Sequence, residues 1–532
     1  MSLSASGVAI NSIMDEKKKV TKAAGKVSLG TLISRVAGFA RDIVLAAVYG
    51  TTWVTDAYFV AFRIPNLLRE LFAEGSVSAG FVPVFIEQLT KEGKDEAKKL
   101  AGVVFAFLLC VLIVICLLGI LLAPYIASVV ARGFMSDPAK FELTIKLIRI
   151  MFPFLLFISL AALAMGTLNS LKSFFVPALA PAFFNLALIA SVLFMAQRFA
   201  VPILAAGIGV TIGGAIQYGV QAAALAKQGF SPRPVFSFSH PGLKKIIKLV
   251  LPVVAAMGVT QLNVLISNLF ATYLAEGSAT YLYYGWRLTH LPIGLFAIAM
   301  ATALLPSLSE QAARNDLSSF RDTFSFSLRI VFFITIPAMA GLMVMAEPIM
   351  NTLFQRGEFT YEGTIGAANA LLFYATGIWA FAGLRPVRMA FYSLQDTRTP
   401  LKIAVLSVVV NVIFSLMLMG PLKHGGLALA NAIAAAVNFS ALFFLLRSKL
   451  GRIDGVKIIK SFIKTFAASL IMGTVGMIIV GQFTWTRSGK LGEKAGILAA
   501  SIALCVAVYI LVSYLIKSEE LSYLIKLRKK KS

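Results

Sequence analysis

The stretch SRVAGFARD, Ser34 to Asp42, decides how this chain is to be read. It lies in an apolar run from Val27 to Gly50, long enough at about 1.5 Å per residue to cross a hydrocarbon core of about 30 Å. Yet its middle carries Arg35, Arg41 and Asp42. A charged side chain at mid-membrane costs about 2.5 to 3.5 kcal/mol on insertion scales, so it usually faces a partner or a wet cavity. Either the run is not a span, or the span lines something polar.

The rest of the chain argues for a span. Its 532 residues are 58% hydrophobic and 14% charged, with a mean hydropathy of +0.85, more apolar than a single soluble core can hide. Apolar runs predict fourteen helices, near 27–50, 55–90, 98–123, 143–168, 174–196, 202–227, 244–273, 279–306, 325–347, 363–393, 401–420, 425–447, 457–481 and 495–516. The chain therefore reads as an all-α polytopic membrane protein with no room for a separate soluble domain. An even number of spans puts both termini on one side. Alternating the loops gives about 31 Lys and Arg on that side against about 8 opposite, so both termini are expected in the cytoplasm.

Residues 1–26 are polar and end in a cluster including Asp15, Glu16, Lys17, Lys18 and Lys19, without the order of a signal peptide, and read as a retained cytoplasmic extension. Residues 517–532, with KLRKKK, read as a basic cytoplasmic tail. The net charge of +25 sits in short clusters between spans, where it meets anionic lipid headgroups rather than nucleic acid. Cys110, Cys116 and Cys505 all fall in apolar runs and read as small hydrophobes.

A faint internal repeat divides the chain. SLKSFFVP (170–177) enters the fifth expected helix and SLQDTRTP (393–400) the eleventh, both Ser-Leu-x5-Pro, with Asn185 and Asn411 following. A spacing of six helices would make the halves parallel repeats, as in alternating-access transporters. The expected divisions are an N-lobe over 27–235, a C-lobe over 236–450 and two added helices over 451–516.

The intramembrane charges gather in the first two spans: Arg35, Arg41, Asp42, Asp56, Arg63, Arg69, Glu70 and Glu74. In the second half, Arg287 in YYGWRLTHLP reads as the isolated case. On an ideal helix Arg35 and Asp42 nearly align, whereas Arg35 and Arg41 lie about 120° apart. The arginines could snorkel or form structural ion pairs with Asp42, Glu70 and Glu74. Alternatively, because the set is net positive and guanidinium forks match phosphate oxygens, they converge on an anionic, phosphate-bearing substrate. Gly38, Pro65 and Gly75 are candidate hinges or ordinary kinks. The three histidines, His240, His290 and His424, lie far apart in sequence; His290, three residues after Arg287 on the same helix face, could touch substrate, although a structural hydrogen bond suits it better. Asn263, Asn268 and Asn411 could be ion ligands, although interhelical hydrogen bonding suits them better.

SRVAGFARD, TDAYFVAFRIPNLLRELFAEGSVSAGFVPVF (55–85), YYGWRLTHLPIG (283–294), LFQRGEF (353–359), YSLQDTRTPLKIA (392–404) and GPLKHGGLALA (420–430) together resemble the MurJ (MviN) family of lipid II flippases. The resemblance implies two six-helix lobes around a central cavity, plus two C-terminal helices beside a lipid-tail groove. It implies transport of undecaprenyl-diphosphate-linked disaccharide-pentapeptide across the inner membrane for peptidoglycan synthesis, with other cell-wall synthesis proteins as candidate partners. By position, the family's essential cavity arginines fall on Arg35, Arg41, Arg69 and Arg287, and its acidic residues on Asp42, Asp56 and Glu74. Two departures stand out: Trp286 precedes Arg287 where some relatives have an acid, and Glu70 follows Arg69 where some have a base.

No cofactor is expected, and the energy source is a coupling ion or the membrane potential. An enzyme of lipid-linked sugars would need a catalytic constellation, and the sequence shows no HExxH, Gly-rich phosphate loop or close acidic pair at a membrane face. An exporter of another lipid-linked oligosaccharide, or of drugs, is the nearer alternative. A drug-cation site would favour acids and aromatics over arginines.

Overall fold

The computed structural model describes residues 3–71, 80–231, 233–451, 453–485 and 490–529, so Glu74 and Gly75 lie outside the described residues. Every regular element among them is helical. The chain divides into two compact units, the first holding 1–49, 57–131 and 135–258, the second 50–56, 132–134 and 259–532.

In the first unit, α1 (Leu3–Tyr49) is a single helix that runs from the polar N-terminal segment straight through SRVAGFARD. It is followed by α2 (Trp53–Arg69), α3 (Val82–Lys91), α4 (Lys94–Leu121), α5 (Ala123–Val130), α6 (Pro138–Met151), α7 (Phe154–Ser170), α8 (Phe175–Met195) and α9 (Leu204–Lys227). Asp137 starts α6 by accepting from the Lys140 N–H at 3.2 Å, an N-cap that satisfies an orphan amide. Phe81, Phe85, Leu100, Leu168 and Phe230 centre one core cluster. Gly30 lets α1 lie close on α8, since a Cβ there would sit 3.2 Å from that of Ala178. The long helix α10 (Pro241–Ala271) is shared, its part up to Gly258 belonging to the first unit and the remainder to the second.

The second unit continues with α11 (Ser278–Pro292), α12 (Ile298–Ala313), α13 (Leu317–Val344), α14 (Ala346–Phe354), α15 (Tyr361–Ala375), α16 (Ile378–Ser393), α17 (Arg398–Leu450), α18 (Gly455–Val480), α19 (Leu491–Leu515) and α20 (Glu519–Lys529). Its main core joins Leu308, Phe324, Phe332, Phe391, Phe439 and Leu442. Leucines, valines and phenylalanines elsewhere point outward, as lipid-facing surfaces require: Phe194 is 75% exposed and Val456 81%.

Among the described residues nine helices are long and apolar enough to span, or ten if α15 and α16, bent by 43°, count as one. Length and composition thus do not reproduce the expected fourteen, for physical reasons. Charges interrupt the apolar run of α1, and α2 is 17 residues long. The 53-residue α17 counts once although it breaks at Lys423 (φ 52°, ψ −133°), inside the gap expected between 420 and 425.

The repeat has a backbone counterpart. After α7, Lys172 adopts φ 60° and the Ser173 N–H donates to the Leu168 carbonyl at 2.9 Å; after α16, Gln395 adopts φ 58° and Asp396 N–H donates to Phe391 at 2.9 Å. Both are left-handed helix stops closed by the same six-to-one hydrogen bond. The following asparagines also behave alike: Asn185 joins α8 to α1, and Asn411 joins α17 to α10.

Candidate functional site

Helices α1 and α2 of the first unit carry two arginine clusters. Arg41 donates to the Asp42 carboxylate through Nη2 at 2.6 Å and Nε at 3.0 Å, and to Asn185 Oδ1 through Nη1 at 3.1 Å. Asp42 is fully buried and Arg41 nearly so. The bond to Asn185 crosses from α1 to α8, so the guanidinium is oriented by two helices rather than hanging free. Arg35, on the same helix, is exposed. At the end of α2, Arg69 Nε donates to Asn66 Oδ1 at 3.0 Å, Asn66 donates to Glu70 at 3.0 Å, and Arg69 pairs with Glu70 at 3.7 Å. Glu70, the departure noted above, thus steadies the amide that steadies Arg69. Gly38 lies buried within the unbroken α1, and Pro65 within α2.

In the second unit Arg287 is half-buried on α11. The neighbouring Trp286 packs its ring against His290, Tyr374 and Phe381, with centroids 4.5, 5.1 and 5.3 Å apart. Trp286, one of the departures noted from the sequence, thus sits in an aromatic nest. Asp56 serves α11 at its start, accepting from the N–H groups of Gly277 (2.8 Å) and Thr280 (3.0 Å) and from the Thr280 hydroxyl (2.8 Å). A carboxylate there satisfies orphan amides and complements the helix dipole. Asn411 donates to Asn263 and to Ser267 (3.1 Å), Ser415 donates to Asn411 (3.2 Å), and Asn431 to Ser267 (3.1 Å). The bonds from Asn411 and Asn431 to α10 are interhelical, the use that suits asparagine in a membrane bundle, and the one from Ser415 lies within α17.

Arg287 is not the isolated arginine of the second half. Arg385 and Arg388 stand half-buried inside α16. The segment GLRPVRMA (383–390) carries the same signature as SRVAGFARD, charges within an otherwise apolar run.

A family model described as lipid II flippase MurJ matches residues 45–492. The chain is 34% identical over 489 residues to the lipid II flippase MurJ of Burkholderia cenocepacia, covering 91% of this chain and 95% of that one. It is 35% identical to the probable lipid II flippase MurJ of Bdellovibrio bacteriovorus, over 96% and 97% of the two. Among solved structures it resembles a lipid II flippase MurJ in an inward closed conformation, with a TM-score of 0.77 and 27% identity over 92% of this chain and 98% of that one. An inward-facing multidrug resistance MATE family transporter of the MOP superfamily shares the fold alone, with a TM-score of 0.67 and 16% identity over 81% and 99%.

Proposed function

This chain belongs to the lipid II flippase MurJ family, and from that premise we propose that it moves undecaprenyl-diphosphate-linked disaccharide-pentapeptide from the cytoplasmic to the periplasmic leaflet. The observation that carries this reading is the pair of supported arginines in membrane helices. Arg41 is oriented by Asp42 and Asn185, and Arg69 by Asn66 and Glu70. Guanidinium groups held in place can replace the water that a diphosphate loses on leaving the cytoplasm, at less cost in side-chain entropy than free ones. Arg35 and Arg287 complete the set of cations that act on the headgroup, while the polyprenyl tail stays in lipid. Asp42 acts as a brace for Arg41, and Asp56 holds the start of α11.

The protein lies in the inner membrane with both termini in the cytoplasm, as the distribution of Lys and Arg directs. Transport proceeds by alternating access, with bending at Gly38 and Pro65. Arginines attract the diphosphate equally before and after crossing, so release needs a bias from the membrane potential or a coupled ion.

The test is depletion of the protein in cells supplied with Arg35→Ala, Arg41→Ala, Arg69→Ala or Arg287→Ala. We expect each variant at normal membrane level to reduce lipid II accessible on the outer leaflet. Wild-type accessibility in all four would overturn the reading.

A further inference from the structure

Arg385 and Arg388 belong to no assignment made above. They lie three residues apart on α16, about 60° from one another around the helix. Among the described residues neither donates a hydrogen bond or joins an ion pair, and none of their nitrogens is sealed away from open space. Keeping two unpartnered guanidinium groups side by side in a membrane helix is costly, and such residues mark ligand paths.

Two further observations point to a ligand. The first is the company the pair keeps. Phe381, Arg385, Arg388 and Tyr392 fall on one stripe of α16, within about 60° of one another. Phe381 touches Trp286, whose ring also packs on His290. The arginine face of α16 is thus tied, within the second unit, to the helix that carries Arg287. The adjoining flank, with Leu384, Val387 and Phe391, packs in the core, and Phe381 at the start of the stripe packs against the same cluster. The second observation is the repeat. Counting back by its 223-residue offset from Ser393 to Ser170, Arg385 and Arg388 stand where α7 has Ala162 and Met165. The helix packs with apolar residues there in the first unit, so the fold itself does not call for arginines.

We propose that Arg385 and Arg388 form a second oxyanion-binding subsite within the C-terminal unit, engaging the diphosphate or a peptide carboxylate of the lipid-linked substrate. The inference rests on the lipid II reading. The two arginines lie five and eight residues from the end of α16, on the side assigned to the cytoplasm, so the subsite would meet the headgroup early in its passage.

The test uses the full-length protein in lipid nanodiscs and two probes, lipid II and undecaprenyl diphosphate. The Arg385→Ala/Arg388→Ala variant is expected to bind lipid II at least tenfold more weakly with an unchanged thermal midpoint, and Arg385→Lys/Arg388→Lys to recover much of the loss. A parallel loss for undecaprenyl diphosphate identifies the diphosphate as the anion, and a loss confined to lipid II identifies a carboxylate. If the double alanine variant binds both probes as the wild type does, or if lysine recovers nothing, the subsite is refuted while the lipid II reading stands. If the wild type itself binds neither probe, that reading fails and takes the subsite with it.

Discussion

Arg41 and Asp42 are adjacent in sequence, and adjacent residues on a helix point about 100° apart. Helical spacing therefore favoured Arg35 as the neighbour of Asp42, seven residues away. The structure instead has the long Arg41 side chain fold back onto the carboxylate beside it while reaching Asn185 on α8. A local rule could not show this, because Asn185 lies 144 residues away. With both partners largely buried, a cycle of Arg41→Ala and Asp42→Asn should give a coupling of about 1 to 3 kcal/mol in thermal unfolding, as expected of contacting residues in one hydrogen-bonded ion pair. Arg35→Ala should change stability by about 0.5 kcal/mol or less, as expected of an exposed side chain. Transport lost in the Arg35 variant therefore reports on substrate, whereas a loss in the Arg41 variant must be compared with the double substitution.

Three helices, α6, α13 and α15, start on a capping carboxylate or hydroxyl from Asp137, Asp316 and Thr360, α11 is capped from a distance by Asp56, and α7 and α16 stop on left-handed residues. Asp56→Ala should destabilise the protein by about 1 to 2 kcal/mol by uncapping α11, and Asp56→Asn by less, read as thermal midpoints in detergent. Asp396 prepares the entry to α17. Partial burial pushes its carboxyl up, but the Lys449 ammonium and the Thr399 N–H and hydroxyl outweigh this and hold it down at about 2, from an ordinary 3.8. A depressed carboxylate contributes stability above its unfolded pKa and loses it as pH falls through the folded one. The gap in thermal midpoint between wild type and Asp396→Ala should accordingly be full at neutral pH and narrow as pH drops from 3.8 toward about 2. Most helix positions were legible because crossing a bilayer demands some twenty apolar residues, a signal that survives without any tertiary knowledge. The role of Asp56 was not, since its amide partners lie more than two hundred residues on. Arg385 and Arg388 were legible in principle, standing in GLRPVRMA as plainly as Arg35 and Arg41 do in SRVAGFARD.

At the scale of the whole molecule, the C-terminal residues read as a basic tail are fastened by acids. Buried Glu520 accepts from Arg329 on α13 (3.0 Å), Ser461 on α18 (2.9 Å) and Ser518 (2.8 Å), while Arg329 also reaches Glu519 (2.7 Å). Arg329 holds the Glu519 carboxyl below its usual range. The lysines that dominate the composition concealed this clasp, whose partner is 190 residues away. Truncation after Lys517 should lower stability by about 3 to 5 kcal/mol by leaving Arg329 without its acids, read by thermal unfolding. The Asp56 cap has a consequence in time as well. The 221 residues from Asp56 to Gly277 take about 10 to 45 s to synthesise at about 5 to 20 residues per second. Throughout that interval the ribosome has yet to deliver the amides this carboxylate will hold, so a nascent chain stalled before Gly277 emerges would leave Asp56 still open to chemical labelling.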